Sequence, residues 1–118
     1  MATRAISVDN TNPRALVIQW TGLTQATLDD GAPFEGADWS DRSVQIQGTF
    51  GTGGSVSIEG SNDGTNYQLL TDPQGNDITK TAADLEQITE ITRYIRPRVT
   101  AGDGTTSLTV TIYARRQP

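Results

Sequence analysis

The side chains able to do chemistry are carboxylates, hydroxyls and a single lysine. Asp29 and Asp30 are adjacent, Asp38 and Asp41 lie close together, and Asp72 and Asp77 flank a short turn. Two carboxylates can divide the acid and base roles of hydrolysis when their surroundings separate their pKa values. These pairs sit among glycines and prolines, where Asp usually accepts hydrogen bonds from the backbone of its own turn. The turn reading is preferred. Serines and threonines abound, but the chain has no His to serve as base and no Cys to serve as thiolate. A Ser–Lys dyad would need Lys80 buried beside a serine, and its place in a short edge segment predicts exposure instead. No catalytic residue is assigned, and the chain is read as a non-enzyme.

Two loops rich in oxygen ligands, SNDGTN (Ser61 to Asn66) and DPQGND (Asp72 to Asp77), carry groups that Ca²⁺ accepts. Neither has EF-hand spacing, and turn chemistry accounts for both, so no metal and no cofactor is assigned. Tyr94 and Tyr113 would make an aromatic platform for a sugar if their strands are neighbours. The segment GSNDGTNYQLL resembles a hairpin signature of discoidin-like jelly rolls, although the chain is short for that domain. Arg93, Arg96, Arg98, Arg115 and Arg116 make the C-terminal part basic, while Asp29, Asp30, Glu35, Asp38 and Asp41 make an early segment acidic. If the last two strands pair, Arg96, Arg98 and Arg115 share one outward face. That face is either simply solvated or meets an oppositely charged partner, such as the acidic segment of a neighbouring copy.

The chain has 118 residues, 34% of them apolar, and a formal net charge of -5. The length suits one domain with one modest core. Net acidity with few cations disfavours nucleic-acid binding. No stretch is long and apolar enough for a membrane helix, and no signal-peptide core precedes the domain. These features predict a soluble protein made without export signals.

The elements that must position these groups read as strands. Ser43 to Leu70 reads as a three-strand antiparallel meander. Val44, Ile46, Gly48 and Phe50, then Val56, Ile58 and Gly60, then Tyr67 and Leu69 face inward at a period of two. Turns at Gly51 to Gly54 and Asn62 to Thr65 would join the three. Arg4 to Asp9 reads as a short strand, and Arg14 to Trp20 as a longer one with Leu16, Ile18 and Trp20 on one side. Thr21 to Asp41 has no sustained period and reads as a long loop, of the kind that is either functional or disordered. Within it Trp39 is expected to pack on its own body, and Phe34 faces either the core or a partner. Asp77 to Lys80 reads as an edge strand, and Thr81 to Glu90 as a helical bend followed by a strand. Thr92 to Ala101 carries Pro97, which predicts an edge strand or a bulge there. Gly102 to Thr105 closes a hairpin into Ser107 to Arg115, with Leu108, Val110, Ile112 and Ala114 inward. The whole predicts an all-β antiparallel sandwich, jelly-roll-like or immunoglobulin-like, of about seven or eight strands. Residues 1–12 form an N-terminal arm, and 13–118 form the single domain with its loop at 21–41.

The ordered strings WTGL (Trp20 to Leu23), DDGAP (Asp29 to Pro33), DRSVQIQGTFGTGGSV (Asp41 to Val56), EGSNDGTNY, DPQGN and YIRPRVTAGDG resemble small virion proteins of tailed bacteriophages. The likeness runs from Trp20 to Gly104, and members of this kind are capsid decoration, or cement, proteins. The resemblance implies a β-sandwich, dimeric or trimeric, on the outside of an HK97-type shell. There it would bind the major capsid protein, bridge neighbouring subunits and stabilise the head, having assembled in the host cytoplasm. It implies no catalysis, nucleic acid or membrane partner. Phe34, Trp39, Asp29, Asp30, Asp38, Arg96, Arg98 and Arg115 are the contact candidates. Excising Asp29 to Asp38 is then expected to spare the fold and abolish attachment. The alternative reading is a carbohydrate-binding or host-adhesion module on the virion.

Overall fold

The computed structural model describes residues 3–11, 14–25, 29–36 and 39–116. Among them run twelve strands and no helix: β1 (Thr3–Arg4), β2 (Ser7–Asp9), β3 (Ala15–Thr24), β4 (Asp30–Gly31), β5 (Phe34–Glu35), β6 (Asp41–Thr49), β7 (Ser55–Ser61), β8 (Gln68–Leu69), β9 (Thr79–Lys80), β10 (Asp84–Gln87), β11 (Tyr94–Ala101) and β12 (Ser107–Arg115). They form two packed sheets, so the all-β sandwich expected from the alternation is what the chain adopts. The strand count exceeds that expectation because five of the twelve are only two residues long.

One sheet has the order β10-β6-β12-β3-β2, antiparallel throughout. The other runs β1-β4-β11-β7-β8, with β5 also beside β11 and β9 also beside β7. Its β1–β4 pair is parallel. Between the sheets lie Leu16, Ile18 and Trp20 of β3, Val44 and Ile46 of β6, and Leu108, Val110, Ile112 and Ala114 of β12. Facing them are Val56 and Ile58 of β7 and Ile95 and Val99 of β11. Fully burying each Ile, Leu or Val side chain contributes roughly 1.5–3 kcal/mol. Alternate residues reach this core because a strand turns successive side chains to opposite faces.

Several strand readings change. β6 and β7 lie in different sheets, so Gly51 to Gly54 is an arch across the sandwich and not a hairpin. The same holds for Gly102 to Thr105, since β11 and β12 also belong to opposite sheets. Leu69 lies opposite Glu59 and is 42% exposed, while Leu70 enters the core. The register therefore inverts the inward set expected for Tyr67 and Leu69. Gly48 is exposed, not inward, because a φ of +120° breaks the alternation at the end of β6. The segment Thr81 to Glu90 contains β10 and no helical turn. The described part of the N-terminal arm is laid onto both sheets, β1 beside β4 and β2 beside β3.

Pro97 is neither on an edge nor at a bulge. Its cross-strand partner is Ile58, whose own N–H and C=O bond to Ile78 O and Leu70 N on the far side. Pro97 and Ile58 thus exchange no hydrogen bond, and the proline nitrogen faces the interruption between β4 and β5. The missing N–H costs nothing there.

The two arches are clasped to each other. Asp103 accepts from the Thr105 hydroxyl at 2.6 Å, the Thr105 amide at 2.8 Å and the Thr52 amide at 2.8 Å. The Thr106 hydroxyl donates to Phe50 O at 2.7 Å. Gly51 is required at this point: its φ is +69°, and a Cβ would collide with the Asp103 carboxylate. The Thr105 hydroxyl, with the Thr52 and Thr105 amides, holds the Asp103 carboxyl well below the usual carboxylate range. Because the folded value lies below the unfolded value of about 3.9, the clasp contributes fully above that pH. Its contribution is lost as pH falls through the folded value. The gap in Tm between the wild type and Asp103→Asn should therefore narrow on acidification below about pH 4. A gap that stays constant would show that the carboxylate charge is not what holds the arches.

Gly60 is buried, and a Cβ there would stand 2.5 Å from Thr92 Oγ1 and 2.9 Å from Leu70 Cδ2. Gly60→Val should cost about 1–3 kcal/mol by overpacking, read from urea unfolding. An unchanged midpoint would mean that both neighbours yield freely.

Candidate interaction surfaces

On the outer face of the seven-stranded sheet, β4 and β11 bring three of the sequence candidates, Asp30, Arg96 and Arg98, together with Glu59 of β7. Arg96 lies directly opposite Glu59 across the β11–β7 ladder, and Arg98 opposite Asp30 across β11–β4. Opposite charges at facing positions are the favourable arrangement in an antiparallel pair. Arg96 Nε donates to Glu59 Oε1 at 2.9 Å, and its Nη1 lies 3.4 Å from Asp30 Oδ2. Its guanidinium also covers the Tyr67 ring at 3.8 Å, a cation–π contact. Burial pushes the Tyr67 hydroxyl above its ordinary value, against the opposing charge of Arg96. Asp30 Oδ1 and the Tyr67 hydroxyl are buried without hydrogen-bond partners. Arg98 is held more loosely, 4.0 Å from Glu59 Oε2, with its side chain 49% exposed.

Asp29 points elsewhere. It is fully buried and accepts from Arg4 Nε at 2.6 Å and from the Thr24 amide and hydroxyl at 2.8 and 3.0 Å. The two adjacent carboxylates thus serve different cations and do not converge. Gly31 and Ala32 are equally committed: a Cβ on Gly31 would stand 2.6 Å from both Trp20 and Pro97, and Ala32 O accepts from Trp20 Nε1 at 2.9 Å. The stretch read as a free loop is woven into the sandwich. β3 continues to Thr24, Leu23 is buried, and β4 and β5 are rungs beside β11. Excising Asp29 to Asp38 would remove both rungs and the cap on Trp20, so the fold would not be spared.

Phe34 and Trp39 are half-buried and pack against the core of their own chain. Trp39 also lies under Arg116, at 4.7 Å. Asp38 lies outside the described residues. Arg42, which the sequence reading passed over, ties this region together. It is buried and donates from Nε to Trp39 O at 2.7 Å and from Nη2 to Gly36 O and Thr92 O at 2.7 and 2.8 Å. Burial pulls its pKa down.

Arg115 lies on the other sheet. β11 and β12 do not pair, so the expected shared face of Arg96, Arg98 and Arg115 does not form; nor do Tyr94 and Tyr113 form one platform. Arg115 instead faces Asp41 on β6, at 2.9 Å. Beside this pair a cavity of about 330 Å³ is lined by Asp41, Arg42, Ser43, Gln87, Tyr113 and Arg115.

The other reactive groups are absorbed by local structure. Asp63 accepts from the Ser61 hydroxyl, the Thr65 and Asn66 amides and the Asn66 side chain. The Asn66 amide foremost holds its carboxyl far below the usual range. Asp72 accepts from the Gln74 and Asn76 amides. Both oxygen-rich loops therefore use their Asp as a turn organiser. Lys80 bonds Asp84 at 2.9 Å and lies 3.6 Å from Glu86. The Asp84 carboxylate raises its pKa, the opposite of what a nucleophilic or basic lysine needs.

Glu59 and Tyr67 escaped sequence reasoning because their roles depend on which strands are neighbours. No protein-family model matches the chain, and no curated protein does. Among solved structures the fold is similar to that of the SPBc2 prophage-derived protein YomS. The TM-score is 0.61 at 16% identity, over 92% of this chain and 98% of that one.

Proposed function

We propose that this protein is a decoration, or cement, protein of a tailed bacteriophage. It binds the outside of an HK97-type shell as a dimer or trimer and bridges neighbouring subunits of the major capsid protein. The observation that carries this reading is the likeness to a prophage-derived protein over nearly the whole of both chains. The ordered motifs from Trp20 to Gly104 supply the step from phage protein to decoration protein. A small sandwich closed by clasped arches suits a part that works by adhesion. Weak contacts repeated around a symmetric shell add up through avidity.

The seven-stranded face is the surface assigned to the shell. Arg98 there is half exposed and loosely paired, so it can exchange Glu59 for a carboxylate on a capsid subunit. Glu35 and Arg93, 3.5 Å apart and half exposed, extend the same polar rim. The test is co-sedimentation with expanded, empty shells. Arg98→Gln should leave unfolding nearly unchanged, since a loosely held pair contributes about 0–1 kcal/mol, whereas Arg98→Glu also sets a like charge opposite Asp30 and costs some stability; both should release the protein from shells at moderate salt. A wild-type protein that stays in the supernatant at low salt removes the proposal. Retained binding of Arg98→Glu removes the surface assignment.

A further inference from the structure

The outer face of the five-stranded sheet is turned away from the surface assigned to the shell, and its side chains differ in kind. Register places Gln87, Ser43, Tyr113 and Val17 on one rung, with Asp41 and Arg115 facing each other on the next. A further rung continues as Leu85, Gln45, Thr111 and Gln19, where Gln19 Nε2 donates to the Thr111 hydroxyl at 3.1 Å. Amides and hydroxyls thus dominate the face, and its one aromatic, Tyr113, is 46% exposed.

We propose that this face binds an uncharged glycan, with one pyranose ring in the cavity beside Tyr113. The cavity, about 330 Å³, lies at the small end of the range for ligand sites and suits a ring or two. Tyr113 offers an apolar ring face with a polar tip, which matches the C–H face of a sugar and its hydroxyl edge. Around it stand the Gln87 amide, the Ser43 hydroxyl and the Asp41–Arg115 pair. Carboxylate and guanidinium are planar groups with paired acceptors and paired donors, suited to neighbouring hydroxyls. Their cross-strand pairing at 2.9 Å keeps the two groups side by side, which lowers the ordering cost of binding.

Charge selects the ligand class. Asp41 and Arg115 neutralise each other at 2.9 Å; Arg42 gives Nε and Nη2 to three loop carbonyls, and its remaining Nη1 is buried. The cavity therefore exposes no unpaired cationic group to a uronate, sialate or phosphate. The chain's net charge of -5 repels a polyanion further. The amide and hydroxyl rung at Gln45, Thr111 and Gln19 continues the same chemistry for the next sugar units.

The probe is an array of neutral oligosaccharides (glucans, mannans, galactans and N-acetylglucosamine oligomers) beside sialylated and uronic-acid ones. Titration with the strongest neutral hit follows. The wild type should bind a neutral oligosaccharide with little dependence on salt. Tyr113→Ala should weaken it about tenfold or more, Tyr113→Phe should retain most of it, and Tyr94→Ala, on the opposite sheet, should change nothing. Shell co-sedimentation should be unaffected by Tyr113→Ala. The proposal is overturned if no neutral oligosaccharide binds, if only acidic ones do, or if Tyr113→Ala binds like the wild type. It is equally overturned if Tyr113→Ala releases the protein from shells or dissociates an oligomer, because the face would then be covered by protein.

Discussion

Trp20→Ala should destabilise the protein by about 3–5 kcal/mol, the range for emptying a buried aromatic site. Trp20 is fully buried near the middle of β3. It touches both sheets: its ring lies where a Cβ of Gly31 would stand, and its Nε1 bonds Ala32 O at 2.9 Å. Loss of the indole therefore opens a cavity and strands a carbonyl beside β4. The cavity cannot collapse easily, because Gly31 and Pro97 are held by the pairing of β4 and β11. Trp20→Phe separates the two terms, since it retains much of the volume and removes the donor. It should cost less than the alanine variant, with the deficit concentrated at β4. Urea unfolding measures both. A Trp20→Ala protein with a near-wild-type midpoint would mean that the sheets close over the gap.

The second large effect belongs to Arg42. Truncation to Ala removes the side-chain donor to Trp39 O, Gly36 O and Thr92 O, although Gly36 O keeps its bond from the Trp39 amide. A buried acceptor left unpaired costs about 1–3 kcal/mol. Part of the total is offset because the guanidinium no longer has to be desolvated, the same burial that lowers its pKa. A net loss of about 3 kcal/mol is expected. Arg42→Lys should recover only a fraction, because a single ammonium cannot reach in the directions that the planar fork does. Trp39 fluorescence or near-ultraviolet circular dichroism, read in a Trp20→Phe background, would report the loosening locally, since its carbonyl is one of the three anchors. If Arg42→Ala unfolds at the wild-type midpoint, the loop is held by Phe34 and Trp39 packing alone.

The inward faces of β3 and β12 were legible from alternation, and Leu16, Ile18, Val110 and Ile112 are where that pattern puts them. The alternation was lost after Trp20 for a local reason. Trp20 pairs with Val110 and Leu23 with Leu108, so β3 carries one residue more than β12 over this interval, a β-bulge. Gly22, at φ +66°, takes up the extra residue. Trp20 and Leu23 both point inward although they are three apart, and a period-two search stops between them.

Neighbour relations were not legible. A glycine-rich turn with positive φ serves an arch as well as a hairpin, so Gly51 to Gly54 and Gly102 to Thr105 gave no sign of which sheet came next. Once β11 was placed beside β12, the arginines were grouped wrongly, and Glu59, the actual partner of Arg96 and Arg98, was left out. The aromatic expectations divided in the same way. The packing of Trp39 followed from its own sequence context, whereas the separation of Tyr94 from Tyr113 follows only from topology.

β12 lies between β6 and β3, so the centre of the five-stranded sheet is supplied by the C-terminal strand of the sandwich. Ala15 waits for Arg115, and Asp41 waits for the same residue. Until that strand arrives, two long hydrophobic ribbons have no common neighbour, and assembly cannot proceed outward from a local pair. Such non-local closure makes acquisition of the native state slow, on the order of milliseconds to seconds. The nascent polypeptide is then most vulnerable to mispairing just before translation of the domain ends, and a truncation that removes β12 should abolish the sandwich outright.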